Sequence, residues 1–165
     1  MSCMRPPAVP VYYWDSNMFI AYLKKEEGRW ELIEYYLDRA VKGDCEIWTS
    51  TLSIAEVVKD DTPVGQPLTE EVIERIDRFW SYPSPVRLFD VSELIVRDAR
   101  EVVRLVHSHE RRGLRSADAI HIATARRTLA NRGSVELNTY DTQLLKLNGE
   151  FSFKIKEPDK AFDLF

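Results

Sequence analysis

The sequence predicts an α/β domain with three layers, α/β/α, built around a central, mostly parallel five-stranded sheet. Three observations predict it. Short β-branched and aromatic runs alternate with amphipathic helical stretches along the whole chain. Strands joined through helices pair in parallel by right-handed crossovers, which cover both faces of the sheet. A length of 165 residues with 44% hydrophobic content is enough for one core, and the chain shows no internal repeat and no linker. The expected domain spans residues 1–165, with an N-terminal arm over about 1–9 and a C-terminal tail over 158–165.

The first strand is the run Val11-Tyr12-Tyr13-Trp14, which stops at Asp15-Ser16-Asn17, three residues of the type that cap helices. A helix follows with Met18, Phe19, Tyr22 and Leu23, and a second carries Trp30, Ile33, Leu37, Ala40 and Val41 at helical spacing before ending near Gly43. Glu46-Ile47-Trp48-Thr49 reads as the second strand, leading into a helix over 51–59 that contains Leu52, Ala55, Glu56 and Val58. Residues 60–67 have loop composition. Val72, Ile73, Ile76, Phe79 and Trp80 then mark an amphipathic helix ended by Pro83 and Pro85.

The third strand is expected over 86–89, and Ser92 caps a long helix with a stripe of Ile95, Ala99, Val102, Val103 and Val106. From 116 to about 132 runs a helix of small residues, Ala117, Ala123 and Ala125 among them, suited to close packing on a sheet and expected to be buried on one side. A fourth strand over 135–137, a turn at Thr139-Tyr140-Asp141, a short helix over 142–147 and a fifth strand over 151–155 complete the chain.

Composition narrows the function classes. The two cysteines, Cys3 and Cys45, form neither a disulfide framework nor a CxxC pair, which points to a reducing, cytoplasmic setting. The first ten residues lack an apolar signal region, and no stretch approaches the roughly 18 apolar residues of a membrane helix, so no membrane role is expected. A net charge of −4 argues against a protein that coats nucleic acid generally, but says little about one cleft.

In a parallel α/β sheet, ligands bind beyond the carboxyl ends of the strands. Asp15 ends the first strand, Glu56 lies early in the helix after the second, Asp118 falls in the first turn of the small-residue helix, and Asp141 follows the fourth strand. Each has an ordinary explanation: Asp15 and Asp141 as helix caps, Asp118 as a complement to a helix dipole, Glu56 as a solvated helix residue. Those explanations do not cover the set. Four acids gathered at one edge would repel one another and raise some pKa values unless a cation compensates. Carboxylates without histidine or thiolate partners form a hard oxygen site, which suits Mg2+ or Mn2+ and disfavours zinc or copper. Such ions suit phosphodiester hydrolysis, in the full version with two ions roughly 3.5 to 4 Å apart.

These residues resemble the PIN domain family, and within it the VapC-type toxins of bacterial and archaeal toxin–antitoxin pairs. The resemblance spans nearly the whole chain and rests on Tyr13-Trp14-Asp15-Ser16-Asn17, Ser53-Ile54-Ala55-Glu56-Val57, Ser116-Ala117-Asp118-Ala119-Ile120-His121 and Asn138-Thr139-Tyr140-Asp141. It implies a metal-dependent endoribonuclease that cleaves single-stranded or looped RNA. Asp15 and Asp118 would be the central metal ligands and catalytic residues, with Glu56 and Asp141 completing the site through water or a second ion. Ser16 and Thr139 would hydrogen-bond ligands and substrate from behind, or serve as ordinary cap and turn hydroxyls. A cognate antitoxin and a homodimer are implied in the same way. The stretch 60–85 departs from the compact family pattern by its length and by a loop ahead of its helix.

Arg112, Arg115 and Arg126 belong to a basic set around the Asp118 helix that can guide RNA phosphates, with a plainly solvated face as the alternative. His121, three residues after Asp118, shares its helical face and invites a role as ligand or proton carrier, against the commoner packed histidine. Tyr12, Tyr13 and Trp14 are expected in the core. Three other readings remain beside the toxin: a housekeeping RNA-processing nuclease, a non-catalytic module binding RNA or a partner, and an aspartate-based phosphatase or receiver domain. The last fits poorly, since Asn17 stands where the phosphatase motif needs a second aspartate.

Overall fold

A computed structural model describes residues 8–110 and 113–159. The elements run β1 (Val11–Trp14), α1 (Ser16–Leu23), α2 (Trp30–Lys42), β2 (Glu46–Ser50), α3 (Leu52–Glu56), α4 (Glu70–Asp77), β3 (Val86–Phe89), α5 (Glu93–Glu110), α6 (Ser116–Arg132), β4 (Glu136–Asn138), α7 (Thr142–Leu145) and β5 (Lys154–Lys156). All five strands are parallel, in the order β3-β2-β1-β4-β5. The order explains the layers. From β1 the chain steps outward to β2 and β3, then jumps back past β2 and β1 to β4 and β5. Right-handed crossovers in opposite directions place their helices on opposite faces.

The two cores follow from this arrangement. One face packs α1, α2 and α4 around Tyr12, Trp14, Phe19, Ile33, Tyr36 and Ile47. The other packs α5, α6 and α7 around Tyr13, Val102, Ile122, Leu137 and Leu144. Strand β1 is central and buried on both sides, so its alternation sends Tyr12 and Trp14 to the first core and Val11 and Tyr13 to the second. The expected core placement of the three aromatics is borne out. Among the described residues no helix is long and apolar enough to cross a membrane. Cys45 is a buried free thiol, and Cys3 lies outside the described residues.

Several boundaries differ from the sequence expectation. Helix α3 ends at Glu56, short of 59, because Val57 leaves helical backbone (φ −95°, ψ 80°) to bury its side chain in the first core. Helix α4 ends at Asp77, well ahead of the prolines. The turn beyond it brings both Phe79 and Trp80 onto the Phe19 ring, at 5.0 and 5.1 Å between centroids. Helix α7 stops at Leu145, and β5 begins at Lys154, where the chain reaches the register of Glu136. Before it, Phe151 stacks on Phe153, and Asn148 Oδ1 accepts from the Ile155 amide at 2.9 Å. Helix α6 is buried on more than one side, lying between the sheet and α5. Its alanines allow both approaches at once. The arm over 1–7, Arg112 and the tail over 160–165 lie outside the described residues.

Candidate active site

Strand order reverses between β1 and β4, and a crevice opens there beyond the strand ends because the two adjoining crossovers leave on opposite faces. Asp15 follows β1 and Asp141 follows β4, so the pair flanks this point. Asp15 occupies the cap position of α1 but makes no capping bond. Its carboxylate turns towards β4 instead: Thr139 Oγ1 donates to Asp15 Oδ2 at 2.6 Å, and Asn17 Nδ2 donates to the same oxygen at 3.3 Å. The other oxygen, Oδ1, is buried without a hydrogen-bond partner. Burial pushes the Asp15 carboxyl up to about 6, and nearby Asp141 adds to the rise. His121 and the bonds from Thr139 and Asn17 oppose it.

Glu56 ends α3, the helix after β2, and is held by α1 and α6. Ser16 Oγ donates to Glu56 Oε1 at 2.6 Å, and His121 Nε2 lies 2.7 Å from the same oxygen. A carboxylate oxygen only accepts, so Nε2 carries the proton; in the neutral ring Nδ1 then accepts from the Tyr13 hydroxyl, 2.8 Å away. His121 and Tyr13 are both buried, which fixes the direction of the chain Tyr13, His121, Glu56. Thr49 and Ser53 continue it, with their hydroxyls 2.7 Å apart and Ser53 Oγ 3.3 Å from Ser16 Oγ. Burial raises the Glu56 carboxyl, but the hydrogen bonds from His121 and Ser16 outweigh it and leave the group below its ordinary value.

Asp118 and Asp141 share a cation. Arg115 donates through Nε to Asp118 Oδ2 at 2.8 Å, and through Nη2 to Asp118 Oδ1 at 3.2 Å and Asp141 Oδ2 at 3.3 Å. Asp141 does cap α7, as its ordinary explanation holds: Oδ1 accepts from the amides of Gln143 and Leu144, at 2.7 and 3.3 Å. Thr139 joins the two sides of the crevice, since its hydroxyl donates to Asp15 and accepts from the Asp141 amide at 2.9 Å. Polar contacts thus join Asp15, Thr139, Asp141, Arg115 and Asp118 in one set, and Glu56, Ser16 and His121 in a second, with His121 one helical turn from Asp118 on α6.

The chemistry of this set fits a hard cation. Its acids are oxygen donors, and Asp15 Oδ1 is an orphaned buried acceptor that a bound cation would satisfy. As the side chains stand, no group of three acid, histidine or cysteine side chains among the described residues is gathered closely enough to hold a metal. Arg115 occupies the interval between Asp118 and Asp141 instead. A cavity of about 630 Å³, lined by Tyr22, Trp30, Arg75, Phe79 and Tyr82 among others, lies elsewhere, and none of the four acids lines it.

Arg126 is exposed on α6, eight residues and roughly 12 Å along the helix axis beyond Asp118, and takes no part in the set. Sequence reasoning undervalued His121, Tyr13 and Arg115. The i, i+3 spacing from Asp118 was a signal for His121, but nothing local shows that Tyr13, a core aromatic, also carries a hydroxyl into the site. Arg115, expected among the cations that guide RNA phosphates or on a solvated face, donates to Asp118 and Asp141.

The PIN domain family model matches residues 12–150. No curated protein matches the chain. Among solved structures, VapBC2 from Rickettsia felis, bound to a DNA fragment from their promoter, is similar in fold, with a TM-score of 0.63 and 15% identity over 90% of this chain and 99% of that one. FitAB bound to an IR36 DNA fragment is similar at a TM-score of 0.55, with 17% identity over 80% of this chain and 86% of that one.

Proposed function

The chain belongs to the PIN domain family, and from that premise we propose that it is an Mg2+- or Mn2+-dependent endoribonuclease, the toxin of a VapBC-type toxin–antitoxin pair. PIN domains are generally nucleases. The observation that carries the reading is the convergence of Asp15, Glu56, Asp118 and Asp141 at the strand-order reversal, with one buried Asp15 oxygen left without a partner. Asp15, Asp118 and Asp141 would hold the ion, with Glu56 beside them. A bound divalent ion supplies a water activated as nucleophile and neutralises charge building on the phosphate.

The remaining roles belong to the chain itself. Thr139 orients Asp15, while Ser16 and His121 keep Glu56 ionised and aimed into the crevice. The substrate is single-stranded or looped RNA, as the VapC-type resemblance implies. Fold likeness to VapBC2 and FitAB supports a cognate antitoxin as partner, and the VapC-type resemblance supports a homodimer. The test is cleavage of a mixed RNA pool by purified protein with Mg2+ or Mn2+, with chelator, and with Asp118→Asn. Cleavage that needs the ion and disappears in the variant is expected. Cleavage surviving in Asp118→Asn would sink the assignment.

A further inference from the structure

Arg115 occupies the cap position of α6 with extended backbone (φ −64°, ψ 145°) and contributes no capping bond. A helix start favours an acceptor or an anion at this place, and forfeiting the cap costs about 1 kcal/mol. A guanidinium there runs against local helix physics. What it does instead is span two carboxylates from different elements, Asp118 on α6 and Asp141 ahead of α7, and its charge also acts on Glu56. Yet 73% of its side chain is exposed, whereas the side chains of Asp118 and Asp141 are 10% and 15% exposed.

We propose that Arg115 is an internal counter-cation, which holds Asp118 and Asp141 together in the metal-free protein and leaves them when a divalent ion binds, so that it competes with the ion. The inference rests on the metal-site reading given above. The guanidinium is mostly in water while its partners are mostly buried, so it can leave only where another cation takes its place, and two charges on one ion outbid one charge spread over a planar fork. It clears the carboxylates by moving into water, without disturbing either core. Once free it stands at the mouth of the crevice with the donor geometry that suits a phosphate oxygen. The opposite role is a permanent clamp that preorganises the acids for the ion. The two roles differ in sign: removing a competitor tightens metal binding, whereas removing a clamp weakens it.

The experiment is a Mn2+ titration of the full chain, followed by the paramagnetic resonance signal of the free ion, for the wild type, Arg115→Gln, Arg126→Gln and Asp118→Asn. Arg115→Gln is expected to bind Mn2+ roughly fivefold more tightly, the equivalent of about 1 kcal/mol of lost competition. Arg126→Gln removes the same charge elsewhere on α6 and is expected to match the wild type. Asp118→Asn is expected to lose the site. Structural damage does not tighten binding, so a gain in affinity has no trivial cause. Equal or weaker binding in Arg115→Gln, with Asp118→Asn still losing the ion, overturns the proposal and leaves the metal-site reading standing. Absence of Mn2+ binding in both the wild type and Arg115→Gln overturns the two together.

Discussion

At the start of β2, Glu46 is buried and faces two guanidinium groups, Arg132 and Arg87, while the Trp48 indole donates to it at 2.9 Å. At the other end of the same sheet Asp118 and Asp141 share one guanidinium, Arg115, while Asp15 and Glu56 are met by hydroxyl, amide and imidazole groups. Glu46 has two cations to itself, whereas Asp118 and Asp141 divide one. A fold selected for stability alone would balance both ends, because buried unpaired charge is costly. The imbalance falls on the acids proposed above to hold a divalent ion.

The comparison is broken most sharply by removing one acid from each end. Asp118→Asn is expected to reduce RNA cleavage by more than about a hundredfold, the scale of losing a ligand when its supports alone are worth 10–100-fold, while thermal unfolding shows a folded chain. Asp15→Asn separates function from stability. Asp15 has an ordinary value of 3.8 and sits at about 6 in the fold. The folded state binds this proton more tightly than the unfolded chain, so the stability it contributes is complete below about pH 4 and is lost as pH rises through about 6. Asp15→Asn should therefore raise stability by about 1–2 kcal/mol at pH 7 and by nothing at pH 4, measured as urea unfolding at the two pH values. An equal gain at both would show that the buried charge is not the cause.

A smaller effect is expected from His121→Gln, which keeps a donor near Glu56 but breaks the directed chain from Tyr13. A drop of roughly tenfold in kcat, with KM nearly unchanged, is the sign of a positioning residue. A change confined to unfolding temperature would reduce His121 to packing. The smallest effect belongs to the far end: Glu46→Gln should cost about 1 kcal/mol in stability and leave cleavage untouched, since its pairs with Arg87 and Arg132 are partly exposed.

Much of this was legible in the chain. The unbroken apolar and aromatic run Val11–Trp14 and the small residues of Ser116–Arg132 identify a central strand and a tightly packed helix, because burial on both sides leaves a compositional trace. Element ends were less legible: α3 stops where Val57 turns inward, a decision taken by the core and not by local propensity. The four acids could be placed at one edge from strand and helix order alone. Their partners could not. Arg115 and Asp141 are 26 residues apart, Tyr13 and His121 are 108, and contacts across such distances depend on strand order, which periodicity does not encode.

Asp141 spends one oxygen on the first turn of α7, accepting from Gln143 and Leu144, and keeps only Oδ2 for Arg115. Its carboxyl plane consequently has almost no torsional freedom, and an incoming ligand finds that oxygen already aimed, with little rotamer entropy left to lose. Lengthening the side chain by a single methylene, as in Asp141→Glu, would keep the charge and forfeit the aim.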